Sequence, residues 1–125
     1  MQIIMGFIYK ALADMGYSSV WNKSETGLLF NFNMMCVICR ADPKSRVVTF
    51  MIPNVFPIVH DEYDDLVSQV NARNYIGRLV NIDNSSVAAV SSFFADSYDN
   101  VPVRAKAALC DLEGLVNAFF ELMKG

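Results

Sequence analysis

Apolar residues recur at helical spacing at the start of the chain. Ile4, Phe7, Ile8, Ala11, Leu12 and Met15 fall three and four apart, which predicts a helix over 3–15. Gly16 stands where a helix-ending glycine belongs. Residues 17–26, YSSVWNKSET, break the pattern and predict a polar loop anchored by Trp21. The rhythm then changes. Runs rich in β-branched and aromatic residues predict strands at 26–30, 34–41 and 46–52. Turns separate them at 31–33 and at Asp42-Pro43-Lys44-Ser45, where Pro43 suits the second turn position. Pro53 then ends the third strand, and with Pro57 it makes 53–59 an extended or turning connection.

Helical spacing returns over 61–73 through Tyr63, Leu66, Val67 and Val70. Asp61 is placed to cap this helix, and Glu62, Asp64 and Asp65 fall where the helix dipole favours anions. Strands at 77–83 and 87–95 follow, joined by a tight turn at Asn84-Ser85. After a turn at 97–100, Pro102 opens a last helix reaching Met123. Ala105, Leu109, Leu112, Val116, Phe119 and Met123 share one of its faces, and Gly114 weakens it by up to about 1 kcal/mol. The order α-β-β-β-α-β-β-α predicts an α+β fold: an antiparallel five-stranded sheet with three helices. Neither repeat nor linker interrupts the chain, so 1–125 reads as one domain.

Composition adds one thing to this picture. Charged residues make up 18% of the 125, against about 25% in an average domain, and 54% are apolar. A small domain of that composition leaves apolar surface over, and a homodimer or a face for a partner protein covers it. The net charge is −3, and the ten basic residues are scattered, which argues against nucleic acid and against docking on anionic membrane. No apolar run approaches the ~20 residues that span a bilayer. The apolar N-terminus lacks the basic flank of a signal peptide, and Lys10 interrupts it early. An odd cysteine count agrees with a reducing compartment, so the expected location is cytoplasmic.

Candidate chemistry is sparse. Cys36 and Cys39 have the spacing of a redox or zinc pair, but Val37 and Ile38 between them favour a strand. Residues three apart on a strand point to opposite faces with Cα atoms about 10 Å apart, too far for a disulfide. The chain offers only Cys110 and His60 as further soft ligands. His60 has no nucleophile elbow to serve. The acidic run 61–65 lacks the alternating ligands and central glycine of a calcium loop. The glycines are dispersed, with neither a phosphate loop nor a dinucleotide fingerprint. No catalytic, metal or cofactor-binding residue is assigned, and the chain reads as a non-enzyme.

The segment from Met51 to Asp96 adds a resemblance. Its marks are Ile52-Pro53-Asn54-Val55-Phe56-Pro57-Ile58 before an acidic helix start, and Leu66…Val70-Asn71 before Ile76-Gly77-Arg78-Leu79. A third is Val87-Ala88-Ala89-Val90-Ser91, running into a Phe-bearing end and a last long helix. These features resemble the YbjN-like family of small bacterial proteins, whose fold looks like that of type III secretion chaperones. The resemblance implies a non-enzymatic, often dimeric protein, compared elsewhere with sensory-transduction regulators or with chaperones that hold a partner in extended form. It supplies no catalytic residues. The resulting expectation is a protein-binding module, chaperone-like or regulatory, acting as a homodimer through apolar surface. Candidate partner contacts are Trp21, Phe56, Phe93, Phe94 and Phe120. The last helix around Leu115, Phe119 and Phe120, or the second helix, is the candidate interface. The alternative is a small-ligand or signal-sensing domain with a closed pocket.

Overall fold

The structure is a computed structural model that describes residues 3–24, 26–56, 61–82 and 86–124, with only the backbone described for 61–63. The chain runs α1 (Ile3–Asp14), β1 (Val20–Trp21), β2 (Gly27–Phe32), β3 (Met35–Ala41) and β4 (Val47–Phe56). It continues through α2 (Asp61–Arg73), β5 (Arg78–Ile82), β6 (Ser86–Phe94) and α3 (Val101–Lys124), with a short 3-10 turn at Tyr98–Asn100 before α3.

Each helix forms where its apolar stripe predicts. α1 ends through Gly16, whose φ of 94° closes the last turn. The Tyr17 N–H donates to Leu12 O at 2.9 Å and the Gly16 N–H to Ala13 O at 3.0 Å, the paired bonds of a left-handed helix cap. On α3, Ala105, Leu109, Leu112, Val116 and Phe119 are all buried.

The sheet corrects the expected five strands: among the described residues it has six, all pairs antiparallel, in the order β1-β2-β3-β4-β6-β5. The additional strand is the two-residue β1, formed where a loop was expected, with Val20 opposite Leu29 and Trp21 opposite Leu28. β2 also extends to Phe32, so the turn expected at 31–33 lies at Asn33 and Met34, which both take positive φ (50° and 67°). A tight two-residue hairpin turn of this hand needs that conformation at both positions.

Pro53 does not stop β4, which runs on to Phe56. β3 pairs with β4 only as far as Met51, so past that point β4 has β6 alone beside it. The register with β6 also shifts between Ile52 and Phe56. A proline lacking an N–H is tolerated at such a one-sided, irregular place. The turn expected at Asn84-Ser85, the connection through Pro57 and His60, and the side chains of Asp61, Glu62 and Tyr63 lie outside the described residues.

α1 and α3 pack on one face of the sheet, and α2 packs against α3 and β5. The core between the layers is built from Leu28, Phe30, Val37, Cys39, Val48, Phe50, Ile52, Leu79 and Ala89 of the strands and from the helix stripes. Phe50, fully buried at its centre, meets the Phe30 ring edge-on at 6.0 Å between centroids.

Candidate functional site

Strand alternation and register define the other face of the sheet. If Leu28, Cys39, Phe50 and Ala89 face the core, their neighbours face away. Leu29 lies opposite Ile38, Ile38 opposite Met51, and Met51 opposite Val90, so these four side chains form a row across β2, β3, β4 and β6. Arg78 of β5, opposite Val90, ends the row. All four apolar members are half-buried, and none belongs to the core cluster or packs against it. A second row joins Arg40, Thr49 and Ser92, and a third Val47 and Phe94. The Thr49 and Ser92 hydroxyls hydrogen-bond each other at 2.9 Å. A groove of about 690 Å³ lies on this face, lined by Ile38, Arg40, Ala41, Asp42, Ser45, Val47, Thr49 and Met51.

The groove's polar end is built by the β3–β4 turn. The Asp42 N–H donates to Val47 O at 2.9 Å, and the Arg46 N–H to Asp42 O at 2.8 Å. The Ser45 hydroxyl and the Lys44 N–H both donate to the Asp42 carboxylate, and these bonds hold its pKa below the usual value. Arg46 takes a left-handed φ of 61° and lays its guanidinium 5.1 Å from the centre of the Tyr98 ring.

The cysteines divide as a strand requires. Cys39 is buried on the core face and burial pushes its thiol pKa strongly up, while Cys36 and Cys110 are exposed. Among the described residues, no group of three or more His, Cys, Asp or Glu side chains is gathered to hold a metal ion. No helix among them is long and apolar enough to cross a membrane.

The five candidate aromatics do not form one patch. Trp21 is half-buried and stacks on Tyr9 at 5.8 Å. Phe56 packs against the core near Phe119, and Phe93 lies against Phe50. Phe94 is 50% exposed on the helix-free face, and Phe120 is 36% exposed on α3. Leu115 and Phe119, named with Phe120 as an interface, are fully buried in the chain's own core. Sequence reasoning missed the row Leu29, Ile38, Met51 and Val90. Its signal was the run Val47, Val48, Phe50, Met51 and Ile52, interrupted only by Thr49 and too apolar for a strand with one wet face. The exposed pair Tyr75 and Ile76, between α2 and β5, was also missed.

No family model matches the chain, and no curated protein matches it. Among solved structures it is similar to the crystal structure of YbjN from E. coli, described as a candidate transcription regulator. The TM-score is 0.60 over 97% of this chain and 93% of that one, at 14% sequence identity. A likeness at that identity is one of fold, and the fold of this chain is YbjN-like.

Proposed function

We propose that the chain is a non-enzymatic protein-binding module, chaperone-like or regulatory, that acts as a homodimer and holds a partner's apolar segment on the helix-free face of its sheet. One observation carries this: the row Leu29–Ile38–Met51–Val90 crosses four strands, while the helices pack on the opposite side. Covering apolar surface contributes about 25 cal/mol per Å² removed from water, so a partner laid across this row gains from every side chain it meets. Phe94, on the same face but beyond the Arg40, Thr49 and Ser92 row, is the aromatic contact. The regulator description of YbjN agrees with a binding role.

A second reading, a small-ligand domain, has the 690 Å³ groove in its favour, since pockets for small ligands span roughly 300–1,000 Å³. The groove is open to solvent along the sheet, however, and such pockets bury most of their ligand. A long apolar segment suits it better.

The test is capture of partners from lysate of the source organism on the wild type and on Met51→Glu, with masses in solution from light scattering. A partner or dimer lost in Met51→Glu, at unchanged thermal stability, supports the proposal. Identical capture profiles from two monomeric proteins would sink it.

A further inference from the structure

The loop between α2 and β5 reads Arg73-Asn74-Tyr75-Ile76-Gly77-Arg78. Its tip is the most exposed pair of adjacent apolar residues among the described residues. Tyr75 is 101% exposed and Ile76 70%. Such side chains usually fold back onto the surface. Here the base of the loop is clamped while the tip projects.

The clamp has two halves. Asn74 Nδ2 donates to Gly77 O at 2.8 Å and to Asp111 Oδ1 on α3 at 3.0 Å. Asp111 Oδ2 accepts from the Ser91 hydroxyl of β6 at 2.7 Å. On the β5 side, Asn71 hydrogen-bonds both backbone groups of Leu79. The loop is thus tied to α2, α3, β5 and β6 without either tip side chain taking part. The clamp fixes the base of the loop from which the aromatic and aliphatic pair projects, so contact has chiefly their side chains left to order.

The surroundings indicate what it contacts. Arg73 and Arg78, both exposed, flank the tip, and among the described residues neither side chain makes an ion pair or a hydrogen bond. Of the acids nearby on α3, Asp111 is held by Asn74 and Ser91, and Glu121 stands 3.9 Å from Lys124. Beside the base of the loop lies a groove of about 240 Å³ lined by Val70, Arg73, Asn74, Ala118, Glu121 and Leu122, whose apolar members suit the anchor and whose Glu121 leaves the acidic residues to Arg73 and Arg78 outside it. Two unpaired cations on a chain of net charge −3 mark this end for an anionic partner. A bilayer is the weaker occupant. Each arginine adds only ~1 kcal/mol at an anionic membrane, and stable anchoring needs more than one such weak signal.

We infer that the 73–78 loop is a docking site for an acidic peptide segment of another protein that carries an apolar anchor. The anchor packs on Tyr75 and Ile76 or enters the groove beside the base of the loop, and the acidic residues pair with Arg73 and Arg78. This goes beyond the sheet-face proposal and does not depend on it, although Arg78 borders both surfaces.

The test selects peptides from a displayed library of random sequences on the immobilised protein, then measures synthetic versions by fluorescence polarisation. Selected peptides rich in Asp and Glu beside a large apolar residue are expected. Their Kd should rise roughly tenfold or more in Tyr75→Ser/Ile76→Ser and in Arg73→Glu/Arg78→Glu, and rise with salt. All four positions are exposed, so the variants should keep the wild-type melting temperature. Met51→Glu should leave this binding unchanged, which separates the loop from the sheet face. Peptides lacking acidic residues, binding indifferent to the Tyr75 and Ile76 changes, or no enrichment at all would overturn the inference. So would flotation with phosphatidylserine vesicles without peptide enrichment, or a dimer that the loop variants dissociate.

Discussion

Asn71 on α2 answers both backbone groups of Leu79 on β5 with its side-chain amide. Its Nδ2 donates to Leu79 O at 2.9 Å, and the Leu79 N–H donates to its Oδ1 at 2.7 Å. An asparagine stands here where a neighbouring strand would pair, on the outer edge of the sheet. An open edge invites pairing with other chains, and this amide occupies it. Asn71→Ala leaves two backbone groups without their partner. It should cost about 1–3 kcal/mol, read as a lower urea midpoint at unchanged slope.

Gly77 sits beneath the exposed loop with no room for a side chain. A Cβ there would press on the Asp111 carboxylate and lie 2.5 Å from the Val90 carbonyl oxygen. The backbone oxygen cannot rotate away. Gly77→Ala should destabilise the fold by about 1–3 kcal/mol, and it should also loosen the loop that carries Tyr75 and Ile76. Differential scanning calorimetry reads the first effect. Faster amide exchange at 74–79 reads the second.

Met34 is fully exposed, and its φ of 67° is a conformation that suits glycine far better. The turn then reads Asn33-Met34 where Asn-Gly is preferred. Met34→Gly should therefore raise stability by up to about 1 kcal/mol, seen as a higher melting temperature. A fall would show that the Met34 side chain contributes something its exposure hides.

Cys39 makes stability depend on alkaline pH. Burial raises its folded pKa well above that of a free thiol, so the folded state keeps its proton where the unfolded chain has lost it. The contribution is complete below about pH 9 and falls as pH rises toward the folded pKa, by at most about 1.4 kcal/mol per pH unit. Urea titrations between pH 8 and 10.5 should show this decline, and Cys39→Ala should flatten it. In the native protein a thiol reagent should label Cys36 and Cys110 quickly and Cys39 only on unfolding.

Much of this architecture was legible in the residues. The α1, α2 and α3 stripes, the Gly16 cap and the strand character of Cys36 and Cys39 all follow from local spacing. What escaped depends on pairing. Val20 and Trp21 become a strand only because Leu28 and Leu29 lie beside them. Pro53 is tolerated only because β3 has already parted from β4. The helix-free row needs the register of four strands at once. The exposure of Tyr75 and Ile76 depends on side-chain clamps from Asn71, Asn74 and Asp111, which no periodicity announces. The five aromatics were chosen by type, and type does not distinguish Phe93, against the core, from Phe94, half in water.

β6 lies between β4 and β5, yet it follows both of them in the sequence. During synthesis both of its neighbours emerge first, and each presents a bare hydrogen-bonding edge until residues 86–94 arrive. A nascent chain with only the residues up to 82 outside the ribosome would carry a gap in the middle of its sheet, shaped to accept a foreign strand. The sheet is closed from within by β6, and its exposure to mispairing is a matter of timing on the ribosome.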